Sequence, residues 1–408
     1  MRIDDILTVD DQFMEPALHL LRDYCRSKRP GCEGLSDERY LRLGLQRALD
    51  GDESGRAFLQ MLGDDGTPLA RATWFDALQS ARRLAVVQEV ATLSYAKFEQ
   101  QLQGRDWLSE LPELKERAVW ALDGHQIEHA CHAAPDAKGR QVPLGLIYGL
   151  CLHTGLMRPL GRFQGDGRRR HEWPVFKTGW RTWLAGERRP RLPIVVVDPA
   201  YIDGVFWFLQ KRHKQAVFIS REKDNMKPEV IGPNSFDPDD PVNAGVEADE
   251  LVGYSAVHLR RIRYRDPATG ELYIFITTDT CLRPGVVALL YLLRWKIEKV
   301  YDVFKNKLFA QKAWANGETA ALQQAHFLAL LHNLLTLLLQ RLEQNGIHEQ
   351  KVERRHAAIP PVVPSHRLVR HTHTLTCQFI RAVRNLLGQR RPWEEALPLF
   401  KQRLEAYL

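Results

Sequence analysis

Two short apolar runs, each closed by an aspartate, set the strongest limit on how this chain can fold. AVWALD ends at Asp123 and PIVVVD ends at Asp198. Apolar runs of this length, bounded by Gly or Pro, are strand signals, and each carries its carboxylate to the rim of a sheet on a stiff mount. GLIYGLCLH and AVFIS give further strands, and IDGVFWFLQKRHK gives a helix between them. From near Ala118, strands and helices therefore alternate, the mark of an α/β core.

A third acid lies farther along. The run YLLRWKIEKVYDVFK sits in a helical pattern from about Pro284 to Leu308. At about 100° per residue, Tyr291, Arg294, Glu298 and Lys305 share a stripe roughly 60° wide. Val286, Leu290, Leu293, Ile297, Val300, Phe304 and Leu308 fall on the opposite, core-facing side. An i,i+4 surface ion pair between Arg294 and Glu298, worth a few tenths of a kcal/mol, accounts for the helix alone. It does not account for Asp123 and Asp198. Three acids together suit Mg²⁺ or Mn²⁺, which take hard oxygen ligands; two such ions about 4 Å apart clamp the attacking and leaving oxygens of phosphoryl transfer.

The order Asp123, Asp198, Glu298, with Y-x2-R-x3-E-x6-K around the glutamate, resembles the DDE transposases of the insertion-sequence-four family. VVVDPAYID and FISREK support the likeness, which runs from about Ala118 to Lys307. The resemblance implies an α/β fold with an RNase H-like core within residues 111–345 and a β-rich insertion at about 222–282. It implies Asp123, Asp198 and Glu298 as catalytic residues and ligands of two Mg²⁺ or Mn²⁺ ions. Tyr291, Arg294 and Lys305 would grip DNA near the transposon end, Arg forking onto phosphate and Lys supplying a point charge. Arg221 resembles a basic residue near the site in relatives, and Tyr273 is the candidate aromatic to stack on a flipped base. The implied partners are double-stranded DNA, as terminal inverted repeats and target, and a second copy in a synaptic homodimer. One departure is DGH at Asp123, where the family often has a small hydroxyl residue after the acid.

The flanking segments are helical. Residues 1–110 carry helical spacing in ALHLLRDYC, RYLRLGLQRAL and ARATWFDALQSARRLAVVQEVATL, with Thr67-Pro68 as a helix start. Arg71, Thr73, Gln79, Arg82 and Arg83 offer DNA contacts if this unit is a helix-turn-helix. The acidic, Pro/Gly-punctuated stretch 232–250 predicts a loop, and VHLRRIRYRD with ELYIFITTD predicts a hairpin across PATG. A long apolar helix is expected at about Thr319–Leu342. Residues 346–408 are expected to be a basic helical segment, in which IPPVVP makes a proline-rich crossing before the helix of CQFIRAVRNLLG, and the charge from Gln340 onward, twelve Lys/Arg against six Asp/Glu, nearly equals the whole-chain +7. Such a balance favours a polyanionic partner.

The six cysteines show no CxxC pair, and the acidic start has no apolar signal core, so a reducing cytoplasm without a membrane span is expected. His125, Glu128 and His129 spell H-x-x-E-H, with Cys131 and His132 behind, the pattern of an inverted zinc-protease helix. Here the motif follows a strand and Gly124, and Pro135 limits any helix. The other competing reading is a transposase-derived protein that binds DNA without cutting it.

Overall fold

The computed structural model describes residues 9–26, 35–50, 54–102, 107–127, 144–164, 172–184, 191–254, 257–308, 312–344, 379–386 and 392–405. Five helices lead the chain: α1 (Val9–Arg26), α2 (Asp37–Asp50), α3 (Gly55–Asp64), α4 (Arg71–Gln79) and α5 (Ala81–Leu102). The stretch expected as one helix breaks at Ser80, whose backbone is extended and whose hydroxyl accepts from the N–H of Arg83 at 3.3 Å. Helix α4 also starts later than Thr67-Pro68: the Thr67 hydroxyl donates to the Leu62 carbonyl, so Thr67 closes the helix before it instead of opening the next.

Nine strands make one sheet: β1 (Val119–Ile127), β2 (Leu144–Cys151), β3 (Met157–Gln164), β4 (Ile194–Val197), β5 (Val217–Arg221), β6 (Glu229–Pro233), β7 (Val246–Tyr254), β8 (Val257–Arg265) and β9 (Leu272–Thr277). The spatial order is β3-β2-β1-β4-β5-β9-β8-β7-β6. Strands β1, β4 and β5 run parallel, and the other pairings are antiparallel. All four residues of β4 are fully buried, so both faces of the sheet are covered there. The covering helices include α6 (Glu172–Leu184), α7 (Gly204–Arg212), α8 (Pro284–Leu293), α9 (Trp295–Asn306) and α10 (Glu318–Gln344). Residues 379–386 and Trp393–Glu405 are also helical; IPPVVP lies outside the described residues.

The predicted hairpin is β8–β9, and because β9 also pairs with β5 it extends the core sheet. The loop expected at 232–250 is partly strand, since β7 begins at Val246. Its acids face the arginines of β8: Arg260 grips Asp249 at 2.5 Å, Arg261 meets Glu250 at 3.4 Å, and Arg265 holds Glu247 at 2.6 Å. Cross-strand charge pairing accounts for Glu247, Asp249 and Glu250, whereas Asp237 and Asp239 before β7 are exposed. At the start of α8, the Gly285 N–H donates to Asn243, and a Cβ there would strike the Val242 carbonyl, so the insertion packs tightly on this helix.

Helix α10 is long and apolar enough to cross a membrane by length and composition, and most of it is buried inside the protein. It packs on α5, α2 and β3. Tyr40 of α2 donates to Gln323 at 2.6 Å, and the same amide donates to the Ala77 and Leu78 carbonyls at the end of α4, tying the N-terminal helices to it.

Candidate active site

Parallel pairing brings the two aspartates together. The β1–β4 ladder ends at Leu122 opposite Val197, so Asp123 and Asp198 are the next residues on adjacent strands, which run about 4.8 Å apart. Asp198 closes β4 as expected, and its carboxylate accepts from the Ala200 N–H at 2.9 Å, fixing the chain as it turns away. Asp123 is not at a strand end. Strand β1 continues to Ile127 because β2 still pairs with it after β4 has stopped. Its carboxylate accepts from the Gly124 N–H at 2.9 Å, and its carbonyl accepts from the Tyr301 hydroxyl at 2.8 Å. Helix α9 is thereby anchored to β1.

The glutamate helix is two helices. At Arg294 the N–H is shared between the Leu290 and Tyr291 carbonyls, and the Ile297 N–H returns to Arg294 at 3.0 Å. One turn is therefore tightened to i,i+3 spacing, and α9 restarts at Trp295. The predicted polar stripe is not a solvent face in its first half. Every residue of α8 is buried, Tyr291 is 5% exposed and Arg294 only 3%. Arg294 donates from Nη2 to Glu298 at 2.6 Å, its Nη1 lies 3.9 Å from Asp123, and it stands over the Tyr291 ring at 5.4 Å. Its Nε has no partner. The guanidinium thus bridges the first and third acids and keeps one buried donor free for an anion.

A cavity of about 400 Å³ opens beside this bridge, lined among others by Asp198, Arg221, Tyr273, Tyr291, Arg294 and Glu298. Six of the eight sequence-picked residues therefore share one cleft. Arg221 ends β5 and is exposed. Tyr273 on β9 stacks on Phe275 and donates its hydroxyl to Glu271; burial and Glu271 push the phenol up to about 12. Lys305 is exposed on α9 and does not line this cavity. Asp123 is reached through Arg294. Burial pushes its carboxyl up to about 7 against the pull of Arg294, with Glu172 and Glu298 adding to the rise.

Two residues that the spacing did not flag belong here. Trp295, 38% exposed, lines the cleft next to Arg294. Glu172, first residue of α6, lies over Gly124: a Cβ on Gly124 would collide with its carboxylate, which also accepts from the Tyr201 hydroxyl. This explains why glycine follows Asp123 within β1, where even a small side chain would displace Glu172. Glu172 was missed because Gly165 to Arg170 before it and Pro174 and Gly179 within α6 hide the helix.

Among the described residues, no three His, Cys, Asp or Glu side chains are gathered to hold one metal ion as they stand. The Arg294 guanidinium already serves as the cation between Asp123 and Glu298. The donor chemistry nevertheless fits Mg²⁺ or Mn²⁺, all of it carboxylate oxygen around a buried acid that is unfavourable when charged. His125 is a strand residue, 1% exposed, stacked on Tyr301 at 4.9 Å, with burial and Lys305 lowering it to about 4. It is not on a zinc-protease helix; Glu128, His129, Cys131, His132 and Pro135 lie outside the described residues.

Several residues nominated for a helix-turn-helix are engaged internally. Arg82 and Arg83 both hold Asp37, Arg83 also donates to the Leu35 carbonyl and is 6% exposed, and Gln79 donates to Asn316. The charge of the two arginines is used in packing α5 against α2.

Residues 149–334 match the family model of the transposase DDE domain. The match supports a DDE transposase. It covers a little less than half of the chain, including Glu172, Asp198 and Glu298. Asp123 precedes the matched DDE segment and joins it through the pairing of β1 with β2 and β4. No curated protein matches the chain.

Proposed function

We propose that this chain is a cytoplasmic DDE transposase of the insertion-sequence-four type, which excises and joins DNA at the ends of a mobile element. The observation that carries this reading is the placement of Asp123 and Asp198 side by side at the end of the β1–β4 ladder, with Glu298 bridged to Asp123 by Arg294. The strand order β3-β2-β1-β4-β5, with the first three antiparallel and the last three parallel, supports an RNase H-like core. In this reading residues 111–345 are the catalytic unit, 1–110 assist DNA binding, and 346–408 supply a basic contact in the dimer.

Asp123, Asp198 and Glu298 would hold two divalent cations, which when bound activate water or a 3′-hydroxyl and stabilise charge on the phosphoryl oxygens. The protein's own groups supply the rest. Arg294, with its free Nε, and Arg221 face the cleft where a phosphate would lie. Tyr273 and Trp295 offer aromatic faces to an unstacked base. Lys305, exposed on α9, would contact the DNA backbone farther along the duplex.

The test is cleavage of labelled DNA carrying the sequences that flank this reading frame. The chain should cut it with Mg²⁺ and not with EDTA, and Asp123→Asn, Asp198→Asn and Glu298→Gln should each abolish cutting while still binding. Binding without cutting by the unaltered chain would select a DNA-binding protein instead.

A further inference from the structure

Tyr301 and Phe304, neighbours on α9, are both buried in one aromatic cluster with His125 and Tyr148. Filling that space needs only a ring. The Tyr301 hydroxyl does more, donating to the main-chain carbonyl of Asp123 at 2.8 Å. Its ring stacks at 4.9 Å on His125, two residues after Asp123 in β1, and lies 6.0 Å from Tyr148, the residue paired with Asp123 across to β2. One side chain of α9 therefore holds the backbone of the aspartate and packs on the residues that flank it. Glu298 lies three residues before Tyr301 on the same helix, on a neighbouring part of its surface. With Tyr301 fastened to Asp123, the glutamate can neither slide nor turn far relative to the aspartate. The other tie between the two acids, Arg294, works through their carboxylates, at 2.6 Å from Glu298 and 3.9 Å from Asp123. Tyr301 uses a main-chain carbonyl and takes nothing from either carboxylate.

We propose that Tyr301 is a positioning residue for DNA cleavage, setting the separation of Asp123 and Glu298 by tying α9 to β1. The inference rests on the DDE reading and adds to it a residue outside the Y-x2-R-x3-E-x6-K signature. Its effect is geometric: a misplacement of about 1 Å at a reacting centre costs on the order of 100-fold in rate. A built-in control sits in the same cluster, since the buried Tyr148 hydroxyl has no hydrogen-bond partner. Removing that oxygen changes the packing as little as removing the one on Tyr301, and it cuts no tie to Asp123.

The experiment compares Tyr301→Phe and Tyr148→Phe with the unaltered full chain on labelled DNA carrying the flanking sequences. Tyr301→Phe should lower kcat for cleavage in Mg²⁺ about 10- to 100-fold while KM and DNA affinity stay unchanged. The loss should be smaller in Mn²⁺, because Mg²⁺ demands the stricter ligand geometry; a variant that merely folds less well would lose equally with both ions. Hydrogen exchange in EDTA gives a readout free of metal and of activity: the α9 amides should exchange several-fold faster in Tyr301→Phe. Tyr148→Phe should match the unaltered chain in all of these. Unchanged kcat in Tyr301→Phe, or equal losses in the two variants, would overturn the positioning role and leave the DDE reading intact. An unaltered chain that binds the DNA without cutting it would overturn both.

Discussion

Replacing Asp123 by Asn should stabilise the protein at alkaline pH in the absence of divalent ions. Burial raises this carboxyl from its ordinary 3.8 to about 7, with Arg294 opposing the rise and Glu172 and Glu298 adding to it. The folded state therefore holds the proton more tightly than the unfolded chain. Stability from this group is fully present below about pH 4 and is lost as pH rises through about 7. At pH 8 the charged side chain costs at most about 4 kcal/mol, taking roughly three pH units at about 1.36 kcal/mol each. The side chain is 22% exposed, so about 2 kcal/mol is the expected size after solvent screening. Asn mimics the protonated acid and escapes the cost. Urea unfolding in EDTA should show Asp123→Asn more stable than the unaltered chain at pH 8, with the difference shrinking toward zero near pH 4. An equal or lower stability at pH 8 would mean that Asp123 is solvated or already satisfied by Arg294, and the picture of a strained acid awaiting a cation would be wrong.

Gly124→Ala should destabilise the fold and displace Glu172; pairing it with Glu172→Ala should recover part of the loss, and strictly additive costs in a double-mutant cycle would reject the contact. Asp249→Ala should cost about 3 kcal/mol by stranding buried Arg260, whereas Asp249→Leu with Arg260→Met should be near neutral in denaturant titration. His125 and His326 are lowered by burial from 6.5 to about 4, and His332 is lowered too. The unfolded chain binds these protons first, so their contribution is present above about pH 6.5 and lost as pH falls toward 4. Unfolding midpoints in the Asp123→Asn background should drop across that window, and a flat profile would contradict the burial of these rings. Lys305→Ala should weaken DNA binding and reduce the slope of log affinity against log salt by about 1; an unchanged slope would remove Lys305 from the phosphate contacts.

How much of this was legible in the sequence depends on which force set each feature. The strands β1, β4 and β5, the hairpin β8–β9 and helix α10 could be read because apolar burial dominates them and leaves a periodic trace. The cleft residues Asp198, Tyr291, Arg294 and Glu298 followed from strand ends and helical spacing, and they do line one cavity. Tertiary pairing left no local trace. The acids of β7 look solvated until the arginines of β8 are placed opposite them. Arg82 and Arg83 look free until Asp37 arrives from another helix. The tight turn at Arg294 interrupts a pattern that stays periodic on both sides, and Glu172 enters the site only through the fold of α6.

The central claim is that Asp123, Asp198 and Glu298 share divalent cations in the cleft beside α9. Anomalous scattering from crystals grown with Mn²⁺ tests it most directly. A Mn²⁺ peak within about 2–2.5 Å of carboxylate oxygens from both Asp123 and Asp198, with Arg294 drawn off Asp123, is the predicted result. Mn²⁺ bound only elsewhere, with Arg294 still bridging Asp123 and Glu298, would contradict it.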